Sequence, residues 1–206
     1  MSYTDINSEI IDRWIEKGWE WGIPVSHESF LAAKKGDWEV VLTPVKPVPK
    51  DWFPKMRGIK LLGLACGGGQ QMPIFTALGA QCTVFDYSKR QLDSERLVAE
   101  REGYQINIVR GDMSKPLPFE DNSFDMIFHP VSNCYIEDVQ PVWNECFRIL
   151  KSGGILMAGL DNGINFIFDD EEKKLCHSLP FNPLKDDRLY KELIDNEDGV
   201  QFSLTL

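Results

Sequence analysis

Apolar positions along the chain keep two rhythms. In residues 8–22 they recur at helical spacing: Ile10, Ile11, Trp14, Ile15, then Gly18 or Trp19, with Asp12, Arg13, Glu16 and Lys17 outside the stripe. That predicts an amphipathic helix capped by Asn7 or Ser8. A second short helix is predicted over 26–35, capped by Ser26. From residue 59 the rhythm changes to short apolar runs, at 59–65, 81–86, 106–110, 124–128 and 155–160. Such runs read as strands, and the first two, nearly continuous in apolar residues, as strands buried on both faces of a sheet.

Helical patterns separate the runs. One covers 70–79, with Pro73 in its first turn and Gly79 at its stop. Another opens on the capping box Ser88-Lys89-Arg90-Gln91 and closes at Gly103. A third covers 138–150, with Val139, Val142, Trp143, Cys146, Ile149 and Leu150 on one face, and ends in Lys151-Ser152-Gly153-Gly154. Strands alternating with helices predict an α/β fold with a doubly wound, mostly parallel sheet.

Residues 43–54 carry four prolines and read as an extended linker. The expected organisation is therefore 1–54, a helical lid and linker that is not independent, and 55–206, the α/β domain. Trp14, Trp19 and Trp21 either pack against that domain or offer aromatic faces to a ligand under a mobile lid. At the far end, 200–206 alternates strictly and predicts a strand with one buried face.

Charge narrows the function. With 22 basic and 32 acidic residues the net charge is −10, which argues against general binding to nucleic acid or to a membrane surface. Five widely spaced cysteines with no CxxC read as free thiols in a reducing compartment, with no metal site expected. The polar start and the lack of a long apolar run predict a cytoplasmic protein.

Candidate chemistry lies where strands end. Gly67-Gly68-Gly69 lets the backbone turn and approach a ligand. Asp86, 17 residues beyond Gly69, stands where a nucleotide-binding sheet places an acid on ribose hydroxyls. Asp112, after the third strand, can accept a hydrogen bond from an amino group.

Four markers in order, LGLACGGGQ, VFDYS, RGDM and FRILKSGGILMAG, make residues 58–162 resemble the class I S-adenosylmethionine-dependent methyltransferases of the type 11 sort. The resemblance implies a Rossmann-like, seven-stranded sheet and S-adenosylmethionine as cofactor. It also implies N-terminal helices closing over a small-molecule substrate. Ala65, Cys66, Gly67 and Gly69 would meet the methionine and ribose of the cofactor. Asp86 would bind the ribose hydroxyls, with Tyr87 beside the adenine, and Asp112 and Met113 would meet the adenine ring. The segment from His129 to Ser132 would lie near the methyl group.

Two positions depart from the family pattern. Gly63 stands where an acid is usual, so Asn133 or an N-terminal residue would take over the contact to the cofactor's amino group. Ala65 stands where glycine is usual, which fits if its φ is negative. For a general base, should the acceptor need one, His129 is the first candidate, with His27 and Tyr135 behind it. No DPPY or NPPY follows the fourth strand, where FHPVSNCY stands; with the acidic charge this disfavours a nucleic-acid acceptor.

Two alternatives stay open. Gly67, Gly69 and Asp86 also suit an NAD(P)-dependent oxidoreductase, although Met72 stands at the third glycine position. A non-catalytic S-adenosylmethionine-binding module would carry the same motifs. After Leu160 there is room for one more strand, so the chain is expected to be an incomplete member of the family. Its terminal strand would either be poorly ordered or pair at an exposed edge, for instance with a second copy.

Overall fold

A computed structural model describes residues 1–161, 163–169 and 173–203. Five parallel strands form one sheet among them, in the order β3-β2-β1-β4-β5. The strands are β1 (Lys60–Leu64), β2 (Gln81–Asp86), β3 (Asn107–Arg110), β4 (Phe124–His129) and β5 (Leu150–Ala158). The order reverses between β1 and β4, which leaves a crevice beyond the carboxyl ends of the strands. In β1 every residue after Lys60 is buried, as a central strand covered on both faces requires.

The helices are α1 (Tyr3–Glu16), α2 (His27–Lys34), α3 (Gln71–Ala77), α4 (Lys89–Glu102), α5 (Gln140–Ile149) and α6 (Asp187–Asp195). They divide the core in two. On one face Phe75, Phe128, Met72, Val84 and Leu92 pack with Trp38 and Phe53. On the other, α5 sets Val142, Cys146 and Ile149 against Leu62, Leu64 and Ile127. No helix among the described residues is long and apolar enough to cross a membrane.

Several boundaries differ from expectation, each for a local reason. The first helix starts at Tyr3 because Ser2 and Asp5 form a reciprocal capping box. Asn7 and Ser8 are not caps but buried hydrogen-bonding groups inside the helix. That helix stops at Glu16, and a 3-10 turn at Glu20–Gly22 carries the chain on. Ser88 caps α4 as expected by accepting from Gln91 N, but Ser88 N donates to Asp86 rather than to Gln91. Residues 151–154 belong to β5 and not to the helix end, with a register shift against β4 at Phe124 and Met126.

The largest difference is at the C-terminus. Residues 200–203 are not in a strand. Val200 and Phe202 are buried, as the alternation implies, but beneath α1 and the β4–α5 connection. Asn7 exchanges two hydrogen bonds with the Val200 backbone, at 2.7 and 2.8 Å, and Phe202 N donates to Cys134 O at 2.7 Å. The Phe202 ring meets Tyr3 edge-on at 5.2 Å. The described part of the expected edge strand is thus internal packing, which removes the basis for pairing through it. Residues 204–206 of that expected strand lie outside the described residues.

Candidate active site

One cavity of about 660 Å³ opens at the carboxyl ends of the strands. Its floor begins with the turn after β1. Ala65, Cys66 and Gly67 line it, and Gly67 N donates to Asp86 Oδ2 at 3.0 Å. A side chain at Gly67 would place its Cβ 2.5 Å from that of Gln91, so the close approach of this turn to α4 needs glycine. Gly69 points the other way. Its N–H donates to Glu95 at 2.9 Å, its carbonyl accepts from Val25 N, and it does not line the cavity.

Asp86, Tyr87, Asp112 and Met113 all line the cavity, brought together by the ends of β2 and β3. Asp86 is held from both sides, accepting from Gly67 N and from Ser88 N at 2.9 Å. Burial nonetheless pushes its pKa up to about 6, because the amide donors only partly offset the loss of water. Asp112 accepts from Ser114 N and from Thr4 Oγ1, both at 2.8 Å. That second bond ties α1 to the end of β3.

The expected base candidates separate in space. His129 is fully buried, with Nδ1–H donating to Leu64 O at 2.8 Å and Trp143 edge-on at 5.6 Å. Burial lowers its pKa to about 4, and it does not line the cavity. This corrects the expectation for His129 alone: the last side chain of β4 packs beside Trp143, while Pro130, Val131 and Ser132 of the same expected segment line the cavity. His27 sits on α2 beside Glu102 at 2.8 Å, also outside the cavity. Tyr135 does line it, with its phenol pKa raised by burial.

The two departures also resolve. A Cβ at Gly63 would lie 2.6 Å from Met72 Sδ, so the methionine fills the space an acidic side chain would occupy. Asn133 is not at the cavity; it is buried and accepts from Asp161 N at 3.3 Å. Ala65 has φ +47°, against the expectation of a negative value. It adopts the left-handed conformation that glycine takes without strain.

The roof comes from the N-terminal segment, which sequence patterning left unresolved. Thr4, Asn7, Ser8 and Ile11 on α1, with Trp19 and Trp21 beyond it, line the cavity. Trp14 instead packs against Trp19 and donates through Nε1 to Glu197 O at 2.8 Å. Gln70 Nε2 donates to Glu20 O and Ile23 O, both at 3.0 Å, which straps the glycine turn to the roof. Polar residues inside the apolar stripe of α1 were the signal that these positions face something other than core.

The lining suits a cofactor with a diol, amino groups and a net positive charge. Asp86 and Asp112 supply carboxylate acceptors, and Gln91 Oε1 is a buried acceptor with no hydrogen-bond partner among the described residues.

The family described as "Methyltransferase domain" matches residues 62–158. An uncharacterized methyltransferase of Bacillus subtilis, YbaJ, is 44% identical over 97% of this chain and 81% of its own length. The chain belongs to the class I S-adenosylmethionine-dependent methyltransferases. Membership removes the nicotinamide alternative. A sterol 24-C-methyltransferase of Gibberella zeae is 35% identical, over 48% of this chain and 26% of that protein. Among solved structures, an S-adenosylmethionine-dependent methyltransferase from Mesorhizobium loti superposes with a TM-score of 0.59 at 20% identity, covering 76% of this chain and 72% of that one. That likeness concerns the fold.

Proposed function

We propose that this protein transfers a methyl group from S-adenosylmethionine to a small-molecule acceptor held in the roofed cavity. The observation that carries the reading is the convergence of the glycine turn, Asp86 and Asp112 on one cavity closed by α1. Asp86 accepts from the ribose hydroxyls, Tyr87 flanks the adenine, and Asp112 with Met113 borders the adenine edge. Ala65, Cys66 and Gly67 run along the methionine portion, while Gly69 acts from outside by fixing the turn. Thr4, Asn7 and Ser8 face the cofactor from the roof, Thr4 beside Asp112 and Ser8 beside the Tyr87 carbonyl. When bound, the cofactor supplies an activated methyl group on a sulfonium.

The chain's own contribution is positioning and exclusion of water. Neither His129 nor His27 reaches the cavity, and the raised pKa of Tyr135 makes it a poor proton acceptor near neutral pH. Holding the acceptor in line with a good leaving group supplies the rate enhancement. Residues 1–54 serve as a lid that opens for exchange. The similarity to sterol enzymes covers about half of this chain and says nothing of the acceptor.

Calorimetric titration with S-adenosylhomocysteine tests the cofactor reading; binding in the micromolar range, about −8 kcal/mol, is expected. Turnover assayed as S-adenosylhomocysteine release over a panel of small acceptors separates an enzyme from a binding module. Tight binding of NADH with no response to either sulfur ligand would end the proposal.

A further inference from the structure

The cavity's charge pattern bears on the acceptor. Among its lining residues there is no lysine, arginine or histidine, and there are three aspartates, Asp86, Asp112 and Asp161. None of the seven residues outside the described set is basic either. An anionic acceptor would therefore enter a low-dielectric site with no cationic side chain to meet it and carboxylates nearby, which is unfavourable on both counts.

The three aspartates are not one cluster. Asp86 ends β2 and Asp112 follows β3, on one side of the sheet. Asp161 follows β5 at the opposite edge, three strand spacings from β2 and four from β3, or roughly 14 and 19 Å across the ladder. The cofactor reading uses the first two and leaves Asp161 unassigned. Its Oδ1 accepts from Gly163 N at 2.6 Å, which fixes the side chain at the start of the post-β5 turn. Leu160 precedes it, Val41, Leu42 and Val131 add apolar lining, and Ser132, Asn165 and the Trp19 and Tyr135 rings line the cavity as well.

We propose that the Asp161 side of this cavity is the acceptor site and that its acceptor is a small amine with an apolar body, recognised through Asp161. The inference rests on the methyl-transfer reading above. A carboxylate on one wall and aromatic faces in the lining attract a cationic head group, while the aliphatic wall takes the body. The cavity's size suits a small acceptor, since 660 Å³ in all is the room of a site for one drug-sized ligand and the cofactor takes a large part. For transfer, the ammonium releases a proton to solvent before the roof closes over it. The neutral nitrogen's lone pair then forms the N–C bond as the S–C bond breaks, its electrons staying on sulfur. The product is a methylated ammonium, whose new positive charge faces Asp161.

Three probes of matched shape test this on the full chain: 3-phenylpropylamine, neutral 3-phenylpropanol and anionic 3-phenylpropionate. Each is titrated calorimetrically into protein saturated with S-adenosylhomocysteine, so the cofactor reading is checked first and separately. If S-adenosylhomocysteine does not bind, the underlying reading fails. If it binds, the amine should bind at least about tenfold more tightly than the carboxylate. Asp161→Asn, which keeps an acceptor for Gly163 N, should erase most of that preference and leave S-adenosylhomocysteine affinity unchanged. Equal or absent binding of all three probes, or a preference that survives Asp161→Asn, would overturn the proposal.

Discussion

Ala65 is the residue at which the site costs stability. At φ +47° an alanine is strained by about 1 kcal/mol relative to glycine, which has no Cβ to clash. Its position is set from both sides, by Ala65 N donating to Phe85 O and by Ser132 Oγ donating to Ala65 O. Ala65→Gly is expected to raise unfolding free energy by about 1 kcal/mol, read as a higher urea midpoint. Unchanged stability would mean that the turn relaxes around the alanine. Asp86 sits in the same turn with two amide donors and a pKa pushed up to about 6. Asp86→Asn should weaken S-adenosylhomocysteine binding by roughly 2 kcal/mol, since it removes charge-assisted bonds to the ribose while keeping the side chain's shape. A loss under about 0.5 kcal/mol by calorimetry would remove Asp86 from the ribose contact.

At the scale of elements, α1 links the cavity to the C-terminal residues. Its polar groups reach Asp112 through Thr4, the Tyr87 carbonyl through Ser8, Ser88 through Asp12 and Val200 through Asn7. Asn7→Ala leaves the buried N–H and C=O of Val200 without partners, so a loss of about 2–3 kcal/mol is expected in chemical denaturation. A change below about 0.5 kcal/mol would show that water or a shifted side chain replaces Asn7. These contacts also explain what the sequence left hidden. The apolar stripe made a helix legible, but its start was misplaced because buried Asn7 and Ser8 resemble caps. The partners that bury them lie about 80 and 190 residues away. The sheet was legible strand by strand because its apolar runs and glycine stops are local signals. His129 misled because a residue at the end of a strand is placed by sequence, whereas the face it takes is decided by packing against Trp143.

For the whole molecule, buried titratable groups set how stability varies with pH. His129, lowered to about 4 by burial, stays neutral while the unfolded chain takes up a proton, so its contribution falls as pH drops from 6.5 towards 4. Asp86 and Glu95 act in the opposite direction. Each keeps a proton in the folded state that the unfolded chain has already released, so stability falls as pH rises, up to about 6 for Asp86 and about 8 for Glu95. Glu95 is fully buried on α4, with Oε1 accepting from Gly69 N and Oε2 without a hydrogen-bond partner. Burial is the main cause of its raised pKa, and the Asp86 charge adds to it. Between pH 6.5 and 8 Glu95 sets most of the slope, at most about 1.4 kcal/mol per pH unit, while the unfolded His129, half protonated at 6.5, offsets only a few tenths of a kcal/mol. Urea unfolding is therefore expected to show a loss of about 1.4 kcal/mol across that window. Glu95→Gln keeps an acceptor for Gly69 N and has no proton to lose, so its stability should be level over the same range. A wild-type curve that is flat from 6.5 to 8 would mean that Glu95 is already ionised beneath the glycine turn, with a partner for Oε2 that the packing here does not provide.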